Sequence, residues 1–262
     1  MDGMIAATPY SLALLVGMLV CLELGRQMGT RWLTQESSGA VSGLSTMQGA
    51  MFTLYGLLLA FTFSEATSRF DVRRELIVDE ANAIDTAYLR LDLLAPKSQP
   101  GMRKQFREYL DSRLEVYSRM PDIKAAQEEL SRSEQLQHNI WAQALADSSL
   151  PGAHKDAAKL LLPAVNAMID ITATRTMAAM IHPAPIIYKL LFVLALVCSV
   201  LAGYGTGGSK KRNWLHTTVF AAVTAACVFV ILDIEYPRMG FIRISAYDQV
   251  LVDLRSKMEQ PQ

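Results

Sequence analysis

Between positions 50 and 68 the chain carries a pattern with a chemical use. Ala50, Thr53, Leu57, Phe61, Ser64 and Ser68 follow one another at spacings of 3, 4, 4, 3 and 4, so one helix places them on a single stripe. The stripe is moderately polar at its ends and apolar in its middle. If several copies turned this face toward a shared axis, Leu57 and Phe61 would form stacked rings, and a hydrophobic constriction gates ion passage by dewetting. The same segment admits a plainer use: Gly49, Gly56 and Ala60 are small enough to let helices approach closely without any conduit.

Other candidate chemistry is thinner. Asp79, Glu80, Asp85 and Asp92 lie farther along the same helix; they either line a vestibule that handles ions or form ordinary solvated charge paired with Arg73, Arg74 and Arg90. His138, His154, His182 and His216 fall on different elements with no second ligand at metal spacing, so neither zinc nor haem is expected. The glycine-rich run at 205–210 lacks the phosphate-loop spacing and follows no strand, which leaves a flexible turn. Gly203-Tyr204-Gly205 resembles part of a potassium filter but has no re-entrant helix around it. No nucleophile elbow, His-Glu-x-x-His motif or triad can be assembled, so no catalytic residue and no cofactor is assigned.

Composition narrows the class. Lys and Arg number 25 and Asp and Glu 25, so no global field exists to gather nucleic acid. Hydrophobic residues make up 51% of the chain, concentrated in four blocks at 5–24, 47–63, 186–204 and 214–232, each close to the roughly 20 helical residues that a bilayer core requires. Four such blocks in one short chain leave too little polar surface to cover them, and lipid is the simpler solvent. The first block follows Met1-Asp2-Gly3, which has no basic residue, and precedes Arg26 and Arg31; it is expected to be a retained span and not a cleaved signal. Cys21, Cys198 and Cys227 all fall inside hydrophobic blocks, as small buried side chains.

These elements predict an all-α membrane protein with four transmembrane helices in two hairpins flanking a helical extramembrane domain. The expected divisions are a hairpin at 1–63, a helical domain at 64–185, a second hairpin at 186–235 and a tail at 236–262. Neither Gly nor Pro occurs from Leu57 to Ala95, so nothing obliges the second helix to stop at the membrane surface. Ile77, Ala81, Ile84, Tyr88 and Leu91 continue it as an apolar stripe that needs a partner. After the break at 95–101, Phe106, Tyr109, Leu110, Leu114 and Tyr117 mark another helix. Further helices are expected at 123–146 and from His154 toward Ile181, the latter with Pro163 inside it. The tail has room for one amphipathic helix with Val250, Leu251 and Leu254 on its apolar side.

The run Leu58-Leu59-Ala60-Phe61-Thr62-Phe63-Ser64-Glu65-Ala66-Thr67-Ser68-Arg69-Phe70, followed by Arg73-Arg74, resembles the bestrophin pattern of an apolar neck, a Ser and Ser-Arg-Phe, then a downstream Arg. It resembles more closely a bacterial family described as bestrophin-like, as does Asp79-Glu80-Ala81-Asn82-Ala83-Ile84. Ile234-Glu235-Tyr236-Pro237-Arg238-Met239-Gly240 is similar to the acidic, proline and glycine segment after the last bestrophin span. The order of two spans, a helical insert, two spans and a returning tail agrees as well.

The resemblance implies a homo-oligomeric, pentameric ion channel whose second span lines a narrow neck at three positions spaced by four, here Thr53, Leu57 and Phe61. Ala50, Ser64 and Ser68 would flank the neck, and Arg69 and Phe70 would carry the motif, with Arg69 otherwise expected to pair with Asp71 or Glu65. Implied partners are the lipid bilayer, further copies of the chain and small inorganic ions, with no nucleic acid and no metal. Thr53 stands where a bulky aliphatic residue is usual, Glu65 is an added charge, and the Pro-rich calcium clasp of animal members has no counterpart, so calcium gating and anion selectivity do not carry over.

Orientation draws two opposed expectations. Arg26, Arg31, Lys210, Lys211 and Arg212 in the short connections would put those loops in the cytoplasm by the positive-inside rule. The family plan instead places both termini and the helical domain in the cytoplasm of a bacterial cell, below the plasma membrane, with Arg69, Arg73, Arg74, Lys189, Arg238 and Arg243 flanking that side. The competing functional expectation is a non-conducting membrane scaffold or sensor that binds a partner through the helical domain.

Overall fold

The computed structural model describes residues 7–32, 38–120, 122–207, 214–238 and 240–259, with side chains from Gly43 onward in the second segment. The start of the first expected span and the basic hairpin residues Lys210, Lys211 and Arg212 lie outside the described residues, as do Pro121 and Met239. Every described element is helical: α1 Ala7–Trp32, α2 Ser38–Leu89, α3 Gln99–Ser118, α4 Ile123–Asp147, α5 Ala157–Met180, α6 Pro185–Gly205, α7 Trp214–Glu235 and α8 Gln249–Lys257. Four of the helices are long and apolar enough to cross a bilayer. The chain divides into two compact units, Met1–Ser68 with His182–Phe241, and Arg69–Ile181 with Ile242–Gln262.

In the first unit α1 packs against both α6 and α7. The α1–α6 crossing is set by glycines on both helices. Gly25 and Gly29 in α1 lie main chain to main chain against the stretch that holds Gly203 in α6 and Gly207 just past its end: a Cβ on Gly25 would lie 2.9 Å from the Val200 carbonyl carbon, and one on Gly203 would lie 2.9 Å from the Arg26 nitrogen. Both pairs have four-residue spacing, the small-xxx-small device by which helices approach closely in lipid, where no hydrophobic force drives them together. Above that contact Leu14, Met18, Leu22, Leu191, Ala195 and Cys198 are buried with Ala221 and Val228 of α7 and Tyr55 of α2. Cys198 is buried as expected, whereas Cys21 and Cys227 are only partly covered; all three are free thiols. At the end of α1 Arg26 donates to both carboxylate oxygens of Glu23, at 3.1 and 2.8 Å.

The second unit is a helical bundle with its own core. The predicted stripe on the continuation of α2 is buried along its length: Ile77, Ala81, Ile84, Tyr88 and Leu91 are all under 4% exposed. It meets Phe106, Tyr109 and Leu110 of α3, Ile140 and Ala144 of α4, and Leu161, Val165 and Met168 of α5. Each of the larger apolar side chains contributes about 1.5–3 kcal/mol by leaving water. A 3₁₀ turn at Arg90–Leu93 ends the α2 run. Asp122 then caps α4 by accepting from the Ala125 N–H at 3.1 Å. Pro163 sits inside α5, near its start. The tail helix α8 buries Leu251 and Leu254 in this core, but Val250 is 38% exposed at the edge of that face, about 40° from Leu254 and about 100° from Leu251 at 100° per residue.

Candidate functional site

Helix α2 has a buried and an exposed side between Ala50 and Ile84. At a helical period Tyr55, Thr62, Ala66, Arg73, Ile77, Glu80 and Ile84 share one side, and all are buried. On the opposite side Ala50, Thr53, Leu57, Phe61, Ser64 and Ser68 are exposed, Leu57 at 51% and Phe61 at 62%. Among the described residues nothing else covers them to the point of burial. The small residues beside this stripe are likewise uncovered: a Cβ on Gly49 or Gly56 would meet nothing within 4 Å among the described residues. The Thr53 hydroxyl donates to the Gly49 carbonyl at 2.9 Å, so its proton is used within the helix and its oxygen lone pairs face outward.

The continuation of that face is acidic. Asp71, Glu75 and Asp79 each lie 18 residues after Thr53, Leu57 and Phe61, which is five turns at 3.6 residues per turn, and all three are exposed. Asp71 pairs with Arg74 at 3.0 Å. Arg74 also lies over the Tyr247 ring at 4.5 Å and the Phe70 ring at 5.8 Å.

The expectation that Glu80 is vestibule or solvated charge is overturned, because Glu80 is fully buried. One of its oxygens accepts from Arg113 Nε at 2.6 Å, and the other accepts from Arg175 and from the Tyr117 hydroxyl. Arg175 also reaches Asp248 at 3.0 Å. Burial alone would push the Glu80 carboxyl up, yet the Arg113 and Arg175 guanidinia hold it below the usual carboxylate range. Nearby, burial and then the Glu80 charge raise the Tyr109 phenol, whose oxygen bonds to Thr172 at 2.8 Å and Gln137 at 3.0 Å. Asp85 and Asp92 have different partners from those expected: Asp85 meets Lys257 at 2.9 Å, and Asp92 meets Arg103.

Arg73 and Arg90 donate to main-chain carbonyls. Arg73 reaches Ala178 O at 3.2 Å and Ile181 O at 2.8 Å, which caps the negative end of α5 with a buried cation. Arg90 donates to Leu160 O at 2.6 Å. In the membrane unit His182 bonds to the buried Glu235 at 3.2 Å and stacks on Tyr236 with centroids 4.7 Å apart. Asp233, also buried, accepts the Phe241 N–H through both oxygens at 3.0 Å. The glycine pairs of α1 and α6 were open to sequence reasoning through their four-residue spacing; the acceptors of Arg73 and Arg90 were not, because a main-chain carbonyl leaves no trace in residue type.

A family profile, the Bestrophin-like domain, matches residues 12–247, and the chain belongs to the bestrophin-like family. No curated protein and no solved structure matches it. The family and the four apolar helices make the chain a multi-pass, all-α membrane protein of channel-like type.

Proposed function

We propose that copies of this bestrophin-like chain assemble around an axis, with Thr53, Leu57 and Phe61 turned inward, and conduct small ions. The carrying observation is that this stripe, central in a membrane span, is left exposed by the described residues of its own chain. Leu57 and Phe61 would be the dewetting rings and Thr53 an acceptor ring at one side of them. Asp71, Glu75 and Asp79 follow on the same helical phase, and rings of carboxylates would favour cations in that stretch. The family plan gives five subunits, a bacterial plasma membrane, and a helical domain with both termini in the cytoplasm.

The test is conductance of the purified oligomer in planar bilayers. Leu57→Ala and Phe61→Ala should each raise single-channel current by widening and wetting the constriction. If the wild type and both variants are equally silent, the conduit is wrong and a scaffold or sensor that works through the helical unit takes its place. A cytoplasm-requiring reporter fused after Gln262 should be active; an inactive one reverses the orientation.

A further inference from the structure

Phe241 is 80% exposed, the highest value for any large apolar side chain among the described residues, yet its main chain is firmly held. Asp233 accepts its N–H through both carboxylate oxygens at 3.0 Å, which folds the chain back over the end of α7. Gly240 makes that fold possible, since a Cβ there would lie 2.6 Å from the Asp233 carboxylate carbon. The Phe241 ring then rests 6.0 Å from the ring of Phe229.

That contact fixes a depth. Helix α7 has 22 residues, about 33 Å of rise, so its ends fall at the two boundaries of a core roughly 30 Å thick. Phe229 precedes Glu235 by six residues, about 9 Å along the axis, and helical side chains tilt toward the N-terminus, here deeper into the membrane. A ring that touches Phe229 therefore lies below the level at which α7 ends. Trp214 is 58% exposed at the other end of the same helix, where an aromatic belt belongs. Arg238 and Arg243 bracket Phe241 in the sequence, the residue type that accompanies interfacial anchors.

We infer that Gly240 and Phe241, held to Asp233, form a hook that sets Phe241 into the boundary between headgroups and acyl chains of the leaflet where α7 ends, with phospholipid as its partner. The hook fixes the depth and rotation of the last span through Asp233, independently of whether the protein conducts. In full-length protein with Cys21, Cys198 and Cys227 replaced by Ala, a nitroxide on Phe241→Cys in phosphatidylcholine vesicles reads the environment. Strong relaxation by oxygen with shielding from an aqueous nickel chelate is the expected result. Ready access of the chelate would overturn the proposal, and shielding from both reagents would overturn it in favour of a protein contact, such as a second copy. Adding Gly240→Ala should move the label into reach of the chelate; unchanged accessibility would show that Asp233 does not hold the hook.

Discussion

Replacing Glu80 with Gln removes the single carboxylate that faces both Arg113 and Arg175. The three side chains are 0%, 1% and 6% exposed, so water cannot take over the lost charge. Arg175 keeps Asp248, but among the described residues Arg113 keeps Tyr117 alone, and its Nη1 already has no hydrogen-bond partner there. Breaking a buried pair from one side costs about 3–5 kcal/mol, mostly as the penalty of the charge left behind. At about 1.4 kcal/mol per decade, the opening constant of the helical unit should rise between about two and four orders of magnitude. Native-state hydrogen exchange of α3 amides in the full-length protein measures it directly. A rise below about tenfold would refute the argument. Replacing Glu80, Arg113 and Arg175 together with Met should recover most of the loss, because no charge is then stranded beyond the partly exposed Asp248.

The same carboxylate dictates a pH dependence. Its folded value lies below its ordinary value of 4.5, so its contribution is complete above that ordinary value and is lost as pH falls through the lower, folded one. Wild-type exchange protection in α3 should therefore decline in acid below about pH 4.5, whereas the decline in Glu80→Gln should lack this component.

Further expectations concern other sites. Arg73→Met removes the cap on the end of α5 and should lower stability by about 1–2 kcal/mol, read as faster exchange at Met177–Ile181. Gly203→Val would drive a side chain into the main chain of α1 and should abolish properly assembled protein on size-exclusion chromatography; a normal profile would show that the α1–α6 crossing is not required. Neutralising Asp71, Glu75 and Asp79 to Asn, Gln and Asn should shift the reversal potential under a salt gradient away from the cation limit, and an unshifted potential would remove the acidic stripe from the conduit. Gly56→Leu should leave the subunit folded, since a Cβ there meets nothing within 4 Å from outside its own helical turn among the described residues, but should reduce the oligomer; an intact oligomer would exclude that flank from the interface.

Periodicity made most of the architecture legible. The four apolar blocks, the buried stripe from Ile77 to Leu91 and the helix at Ile123–Asp147 each follow from spacing and breaker residues alone, because burial of one helical face imposes a 3.6-residue repeat. Glu80 was misassigned for a definite reason. Its neighbours Asp79 and Asp85 are on or near the surface, and only long-range partners, 33 and 95 residues away, distinguish a buried ionic centre from a solvated carboxylate. The hook at Phe241 escaped for a similar reason: a carboxylate that caps a turn eight residues later has the same sequence signature as one that ends a span in water.

On α2 the two uses that the sequence left in competition, close packing and a conduit, occupy different faces. Among the described residues nothing packs on Gly49 or Gly56, and Ala60 is exposed. At 100° per residue they fall to one side of the Thr53, Leu57 and Phe61 stripe, roughly a quarter turn away. In a closed ring each helix meets its neighbour on a flank and the axis at its centre. A small-residue flank next to a mixed polar and apolar stripe is the surface such a ring requires, and lipid alone would give no reason for the asymmetry. The exposed faces of the other spans contrast with it: Leu12, Val16, Val20 and Leu24 on α1, and Leu215, Val219 and Val223 on α7, are large and uniformly apolar, as suits helices that end against acyl chains.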